Sequence, residues 1–555
     1  MSDKLFLIAI GGTGMRCLEA FTHLCAIGMF DNEEIEILTI DTDQLNGNKA
    51  RSEELVRKYS RIKTSDGYEI GGNPNNDTFF SAKLNLHTFF TDYATSGREN
   101  YENISKISQG TPEQQKANRL ISDLFLDRSS VQEFNLAHGY RAQTHLGSHL
   151  MYHGIVEAAR KIAAGTGVTD NERSLDAFMA KLESSSGEAR VFVFGSIFGG
   201  TGASSIPVIP KAFQAYIKVR SGNQSTLDLT KSKFGSTLLT QYFAFKKPDA
   251  KQKSSKDNSV IADSSFFPLN SQAALQFYQI DPTVQRTYKR MYHVGWPVDV
   301  ESLENSKEAK DETITGGSKQ KNPCHITELI SACAAYDFFR ADGFGSDEKA
   351  VYVYRSAEQT PSGAFNFDFD DFVGAKHGKL FANRLGAFFA LAHLTLSVEE
   401  GAFGGPGSGM RAFLNRLVKQ NVKDYEGQII DKECDELNEY MKMFAYSFSD
   451  NGATFNSGWL YQVRGSLGPG SFLFDPTAFA QNQKDLSKMD VGTLFTDEAY
   501  HWPKGGMMSN RYDAFVKSMV ETKPDAEAQK VSTAKEKFLA HLYRSISARQ
   551  SGLLN

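Results

Sequence analysis

The sequence predicts an α/β fold built on a mainly parallel sheet, and three observations predict it. Residues 5–10 are uninterruptedly apolar, as a parallel strand covered on both faces requires. Residues 15–30 carry Leu18, Phe21, Leu24, Cys25 and Met29 at helical spacing, and a second strand at 35–40 completes a β-loop-α-β opening. Strands and helices then keep alternating, with no internal repeat of useful length.

The elements follow in order. Residues 60–140 are more polar and carry turn signals such as Gly71-Gly72-Asn73-Pro74. Inside lies one well-capped helix, with Thr111 as N-cap, Pro112 first and Gln114 as reciprocal partner; Leu120, Ile121, Leu124 and Phe125 form its face. Gly139-Tyr140-Arg141-Ala142 leads into a helix over 144–164. A buried strand is expected at 191–194, a helix at 204–216 and a strand at 238–245, ending at Lys246-Lys247-Pro248. The lysine-rich 251–257 and the polar 301–321 read as loops, and 291–294 and 351–354 as strands. A long apolar helix runs over 325–340 with Leu329, Ala332, Cys333, Tyr336 and Phe339. Beyond residue 400 the regularity is lost. Residues 401–409 form a glycine-rich hinge or loop, and helices are expected at 411–422 and 435–444. An amphipathic C-terminal helix presents Val531, Phe538, Leu542 and Ile546, suited to its own domain or to a neighbouring subunit.

Bulk properties narrow the function classes. The 555 residues allow two to four domains. A net charge of −5 gives no global field favouring nucleic acid. The five cysteines, Cys17, Cys25, Cys324, Cys333 and Cys434, contain no CxxC pair, which argues against a disulfide framework and structural zinc and fits a reducing cytoplasm. The first residues show no basic n-region and no cleavage pattern, and no stretch approaches 18 uninterrupted apolar residues, so neither a leader nor a membrane span is expected. His145, His149 and His153 share i, i+4 spacing that can bind metal, but a packed helix face is the simpler use.

Two glycine runs carry the chemistry. The first, Gly11-Gly12-Thr13-Gly14, follows strand one; the second, Gly199-Gly200-Thr201-Gly202-Ala203, follows the strand at 191–194. Backbone amides crowd around an anion only where no Cβ intervenes, and the following helix adds its positive dipole end. Two such loops suggest a phosphate chain held from both sides, with Thr13 and Arg16 as extra donors. Gly12-x-Gly14-x-x-Cys17 with Asp41 ending strand two also fits a dinucleotide fingerprint, although the third glycine is missing and a second phosphate loop is foreign to that template.

The second run resembles the glycine-rich signature of the tubulin/FtsZ superfamily, with Phe198 in place of its first glycine. The first run sits where that family's first phosphate loop follows strand one. Thr39-Ile40-Asp41-Thr42-Asp43 is similar to the family's Asn-Thr-Asp loop, and Phe243 to Pro248 to its strand ending in Lys-Pro. Asn366-Phe367-Asp368-Phe369-Asp370-Asp371 resembles the synergy loop Asn-x-Asp-Phe-x-Asp. The resemblance covers roughly residues 4–400. It departs where residues 341–365 separate the long helix from the synergy loop, and nothing in the C-terminal third matches.

The resemblance implies a tubulin-like nucleotide-binding domain over 1–345, with polar insertions at about 60–135 and 250–320. A synergy-loop region and second α+β domain follow over 346–515, and a C-terminal helix over 516–555. It implies GTP or GDP with Mg²⁺ as cofactors, head-to-tail self-association, and hydrolysis completed in trans by Asp368, Asp371 and Asn366. Asp41 and Asp43 would order Mg²⁺ or touch the ribose, with helix capping by Asp43 an equal alternative. Arg141 and Ala142 fall in the loop that senses the γ-phosphate, and Asn322 and His325 are candidates for reading the base; a surface arginine and a helix cap are the plainer uses. The leading expectation is a cytoplasmic GTPase that forms filaments or rings. The alternative is a nucleotide-dependent switch or scaffold with little catalysis, acting with a protein partner through the C-terminal region.

Overall fold

The structure is a computed structural model. It describes residues 4–30, 33–43, 46–65, 78–90, 101–105, 107–128, 144–185, 188–225, 228–245, 264–296, 324–344 and 349–356, with short pieces at 68–69, 358–359 and 365–366, between 372 and 388, between 436 and 444, and at 131, 539 and 543.

The core is a seven-stranded sheet, parallel throughout. Its strands are β1 Lys4–Ile10, β2 Glu34–Asp41, β3 Lys83–Phe90, β4 Ala189–Phe194, β5 Lys233–Leu239, β6 Tyr288–Gly295 and β7 Val351–Ser356. Their spatial order is β3-β2-β1-β4-β5-β6-β7. The alternation of side chains splits the core into two. Leu5, Leu7 and Ala9 of β1 join one cluster, and Phe6, Ile8 and Ile10 join the other. Burying both faces is why the central strands are continuous apolar runs, each large side chain contributing about 1.5–3 kcal/mol.

Three helices cover the first face: α1 Gly11–Ala26, α2 Gly47–Lys63 and α10 Ile326–Arg340. The second face is covered by α4 Thr144–Ala164, α5 Asp170–Ser184, α7 Ile209–Arg220, α8 Phe267–Ile280 and α9 Pro282–Thr287. The helix α6, Thr201–Ser205, precedes α7, and α3, Pro112–Phe125, lies between β3 and α4 in the chain. Described residues from the C-terminal part pack into the first-face core: Phe388 against Phe80, Tyr440 against His23, and Tyr543 against Phe79. Leu539 and Tyr543 are buried there. Val531, Phe538, Leu542 and Ile546, and the segments at 251–257, 301–321, 401–409 and 411–422, lie outside the described residues.

Several elements differ from the sequence expectation for identifiable reasons. The first helix does not wait for residue 15; the glycine run is itself the first turn of α1. The helix expected over 204–216 is broken into α6 and α7, because Pro207 and Pro210 lack the N–H that an uninterrupted helix needs. The strand expected at 238–245 is β5, shifted toward the N-terminus and ended at Leu239. Its start is hidden by Gly235, where a Cβ would stand 2.7 Å from the Phe338 ring of α10. Helix α3 has the capping box read from Thr111, Pro112 and Gln114, yet Leu120, Ile121, Leu124 and Phe125 are exposed. Besides α3, the edge strand β3 and the α8–α9–β6 unit fall inside the segments read as polar insertions.

Helix α10 is fastened at both ends. His325 caps its start, Nδ1 accepting from the Thr327 N–H at 3.3 Å. At its far end the Arg190 guanidinium, from β4, donates to the carbonyls of Phe338, Phe339 and Ala341 at 3.1, 2.9 and 2.8 Å. The last carbonyls of a helix lack their usual i+4 amide partners, and a cation there opposes the negative end of the helix dipole.

Candidate functional site

The chain crosses from one face of the sheet to the other around β1 and β4. β1 feeds α1 on the first face, and β4 feeds α6 and then α7, which packs on the second. The strand order reverses direction at this point, which in open α/β sheets opens a crevice at the carboxyl ends of the strands. Both glycine runs lie at this edge, and they touch. Gly11 has φ +65°, and a Cβ there would stand 3.1 Å from Thr201 Cβ of the second run.

Within each run the glycines do different work. A Cβ at Gly14 would meet the Phe194 carbonyl oxygen at 2.7 Å, so this glycine lets α1 lie on β4. A Cβ at Gly202 would meet the Ser196 backbone at 2.5 and 2.7 Å, so this one seats α6. Gly12, Thr13, Gly199, Gly200 and Thr201 are the partly exposed residues of the two turns, whereas Gly11, Gly14, Gly202 and Ala203 are buried. The first four amides of a helix have no intrahelical partner. Here neither Ile10 nor Gly200, the N-cap residues, makes a side-chain cap bond, and neither first turn holds an acidic residue. Two uncapped, glycine-bearing helix starts facing one edge suit an anion.

The second turn is anchored by neutral groups. Tyr278 Oη donates to the Ala203 carbonyl at 2.7 Å, Tyr288 Oη to that of Ile206 at 2.5 Å and Ser148 Oγ to that of Ser204 at 2.9 Å. Phe198, just before the second glycine run, is buried against Phe267, with ring centroids 4.9 Å apart, and wedges the turn onto α8.

The first turn rests on charge. Arg16 is buried and does not reach toward the turns as a phosphate donor. Its Nε and Nη2 donate to the two carboxylate oxygens of Glu328 at 3.2 Å each, and Nη1 to Glu19 at 3.1 Å. Arg51 completes the set with a 2.7 Å bond to Glu19, and Tyr242 Oη donates to Glu328 at 3.0 Å. Two arginines and two glutamates thus balance in the interior, tying α1 to α2 and α10. Sequence reading missed Glu19, Arg51 and Glu328; a polar residue interrupting the apolar face of a long buried helix is the signal that marks Glu328.

Asp41 is also spent within the fold. Its Oδ1 accepts from the Thr42 and Asp43 amides at 2.8 and 3.2 Å, and Oδ2 from Asn46 Nδ2 at 3.1 Å. Burial pushes its carboxyl up to about 7, against the lowering effect of these amides. Asp43 is buried beside it. Asn46 in turn accepts from the Asn48 and Lys49 amides at the start of α2 and so caps that helix.

His325 is half-buried between Tyr242 and Trp296, with ring centroids at 4.8 and 4.5 Å. Burial lowers its pKa to about 3, so the ring is neutral and serves as the α10 cap. The histidine row of α4 is divided, His149 meeting the Tyr101 hydroxyl, and no group of three His, Cys, Asp or Glu suited to a metal occurs among the described residues. Asn366 lies in a two-residue strand, Phe365–Asn366, paired antiparallel with Glu358–Gln359. Arg141, Ala142, Asn322, Asp368 and Asp371 lie outside the described residues.

No protein-family model, no curated protein and no solved structure matches this chain.

Proposed function

We propose that the chain is a tubulin-like, GTP-binding protein whose two glycine turns close over one nucleotide. The observation that carries this reading is the contact between them: Gly11, at positive φ, lies directly against Thr201 across the β1/β4 edge. The amides around Gly12, Thr13, Gly199, Gly200 and Thr201 would hold the phosphates, with the two threonine hydroxyls as further donors. Magnesium would compensate phosphate charge and be held mainly by the phosphates and water, since Asp41 is engaged by its own loop. Arg16 acts as a positioning residue that fixes α1 beneath the first turn.

The dinucleotide alternative shares the strand order, which also occurs in dinucleotide-binding sheets. It asks the acid ending β2 to face a ribose, and here that acid is Asp41, turned into its own loop and buried. That favours the triphosphate reading.

Assembly is head-to-tail, and Asn366, Asp368 and Asp371 of one subunit complete the pocket of the next. Hydrolysis would then need a neighbour to orient water on the terminal phosphate. The test is to denature the purified chain and identify what it releases by mass spectrometry, then to follow phosphate release against protein concentration. Released GTP or GDP, and activity per subunit that falls on dilution, are expected. A nicotinamide or flavin cofactor would overturn the reading, and constant activity per subunit at high dilution would overturn the shared site. Retained GTP without turnover after assembly would point to a switch or scaffold.

A further inference from the structure

A second concavity lies on the other side of α8. Asn270 and Tyr278 of this helix bond toward the glycine turn, to the Phe198 and Ala203 carbonyls. The neighbouring stripe, with Ser271, Gln272, Gln276 and Gln279, instead lines an open cleft of about 580 Å³. Its opposite wall comes from β6 and β7, with His293, Tyr352 and Tyr354, and Trp296 stands just beyond β6.

The chemistry of this cleft is unlike that of the glycine turns. Among the described residues, none that lines it is Asp, Glu, Lys or Arg. Burial lowers the pKa of His293, which keeps the ring neutral at physiological pH. Side-chain amides and aromatic rings therefore supply almost all of the recognition. Two polar atoms on its walls have no hydrogen-bond partner: Ser271 Oγ, on a residue only 6% exposed, and His293 Nε2. Buried polar atoms are normally satisfied, so an unpartnered pair at one concavity points to a missing partner. The volume lies within the range of small-molecule sites.

We propose that this cleft binds an uncharged, ring-bearing polar molecule of nucleoside or disaccharide size, whose ring stacks on the aromatic wall and whose edge bonds to the α8 glutamines, Ser271 and His293. Both sources share that chemistry, a flat apolar face with a hydrogen-bonding rim. Among the described lining residues no cation is present to pair with a phosphate. The site is separate from the glycine turns and stands or falls independently of them.

Saturation-transfer-difference NMR on the full chain tests it with two panels: adenosine, guanosine, cytidine and uridine, and the disaccharides maltose, cellobiose, lactose and trehalose. Saturable binding of a member of one panel is expected, and the panel that responds identifies the source. The double variant Gln272→Ala/Gln276→Ala changes two exposed side chains, so it should keep the wild-type circular dichroism while weakening that ligand at least about fivefold, as loss of one hydrogen bond would. No saturable binding in either panel would mean that water alone fills the cleft and would overturn the proposal. Binding equally tight to wild type and double variant would place the ligand elsewhere and overturn it as well.

Discussion

The two glycine turns are near-copies in sequence, yet the fold supports them in opposite ways. Beneath the first lies a buried set of charges: Arg16, Glu19, Arg51 and Glu328. Beneath the second lie hydroxyls, from Tyr278, Ser148 and Tyr288, bonded to the carbonyls of Ala203 and Ser204 in a short helix and of Ile206 just after it. The difference teaches that a short motif fixes the local path of the backbone but not what holds it. A long helix such as α1 has room for a second turn of side chains that reach α2 and α10. The five-residue α6 has no such length and is held through its carbonyls.

The largest expected effect breaks the charged support. Arg16→Met leaves the buried Glu328 without its guanidinium and Glu19 with Arg51 alone, and should cost about 3–5 kcal/mol in urea unfolding. The second effect is one of pH and belongs to the same side of the site. Folded Asp41 keeps its proton up to about pH 7, while the unfolded chain releases it near the ordinary 3.8. The stability this proton carries is therefore present below about pH 4 and is lost as pH rises through 7. Asp41→Asn stays neutral throughout. Its stability relative to wild type should climb between about pH 4 and 7 and then level off, by up to about 4 kcal/mol. His23 and His325, both lowered to about 3 by burial, act in the opposite sense, but they cancel in the difference between the two proteins.

A third experiment separates glycines within one turn. Gly202→Ala forces a Cβ onto the Ser196 backbone and should cost about 1–3 kcal/mol, whereas Gly199→Ala meets only the Ser196 hydroxyl at 3.2 Å and should stay within about 0.5 kcal/mol. The smallest effect probes the neutral support. Tyr278→Phe and Tyr288→Phe each remove one hydroxyl from a buried carbonyl and should cost about 1 kcal/mol apiece by thermal melting. If Tyr278→Phe proved as damaging as Arg16→Met, the contrast between the two supports would fail.

Legibility in the sequence followed burial. β1, β2 and β4 lie inside the sheet and read as apolar runs, and their positions were correct to within two residues. β3 is an edge strand with Lys83, Asn85, His87 and Thr88, and its polarity concealed it. β7 was visible as a strand, but nothing local says that it would join the same sheet beside β6. The capping box of α3 was readable to the residue because it is a contact over three positions; the exposure of its apolar face is a matter of what packs there, which no local pattern carries. At the site, two glycine runs that each join a strand to a helix suggest one anion held from both sides, and the structure sets the two turns against each other. The engagement of Arg16 by Glu328, 312 positions away, was not, because a lone arginine after a glycine run reads the same whether it faces a ligand or a carboxylate.

The fastening of α10 has a mechanical consequence. A rod capped by its own His325 at the head and gripped by Arg190 of β4 at its tail has little freedom to fray. Its middle should surrender amide protons to deuterium only when the whole domain opens, later than the ends of α3, which stands with none of its residues buried. Glu328 rides on that rod within a turn of its head, so through Arg16 it ties α1 to a helix whose tail is held by β4.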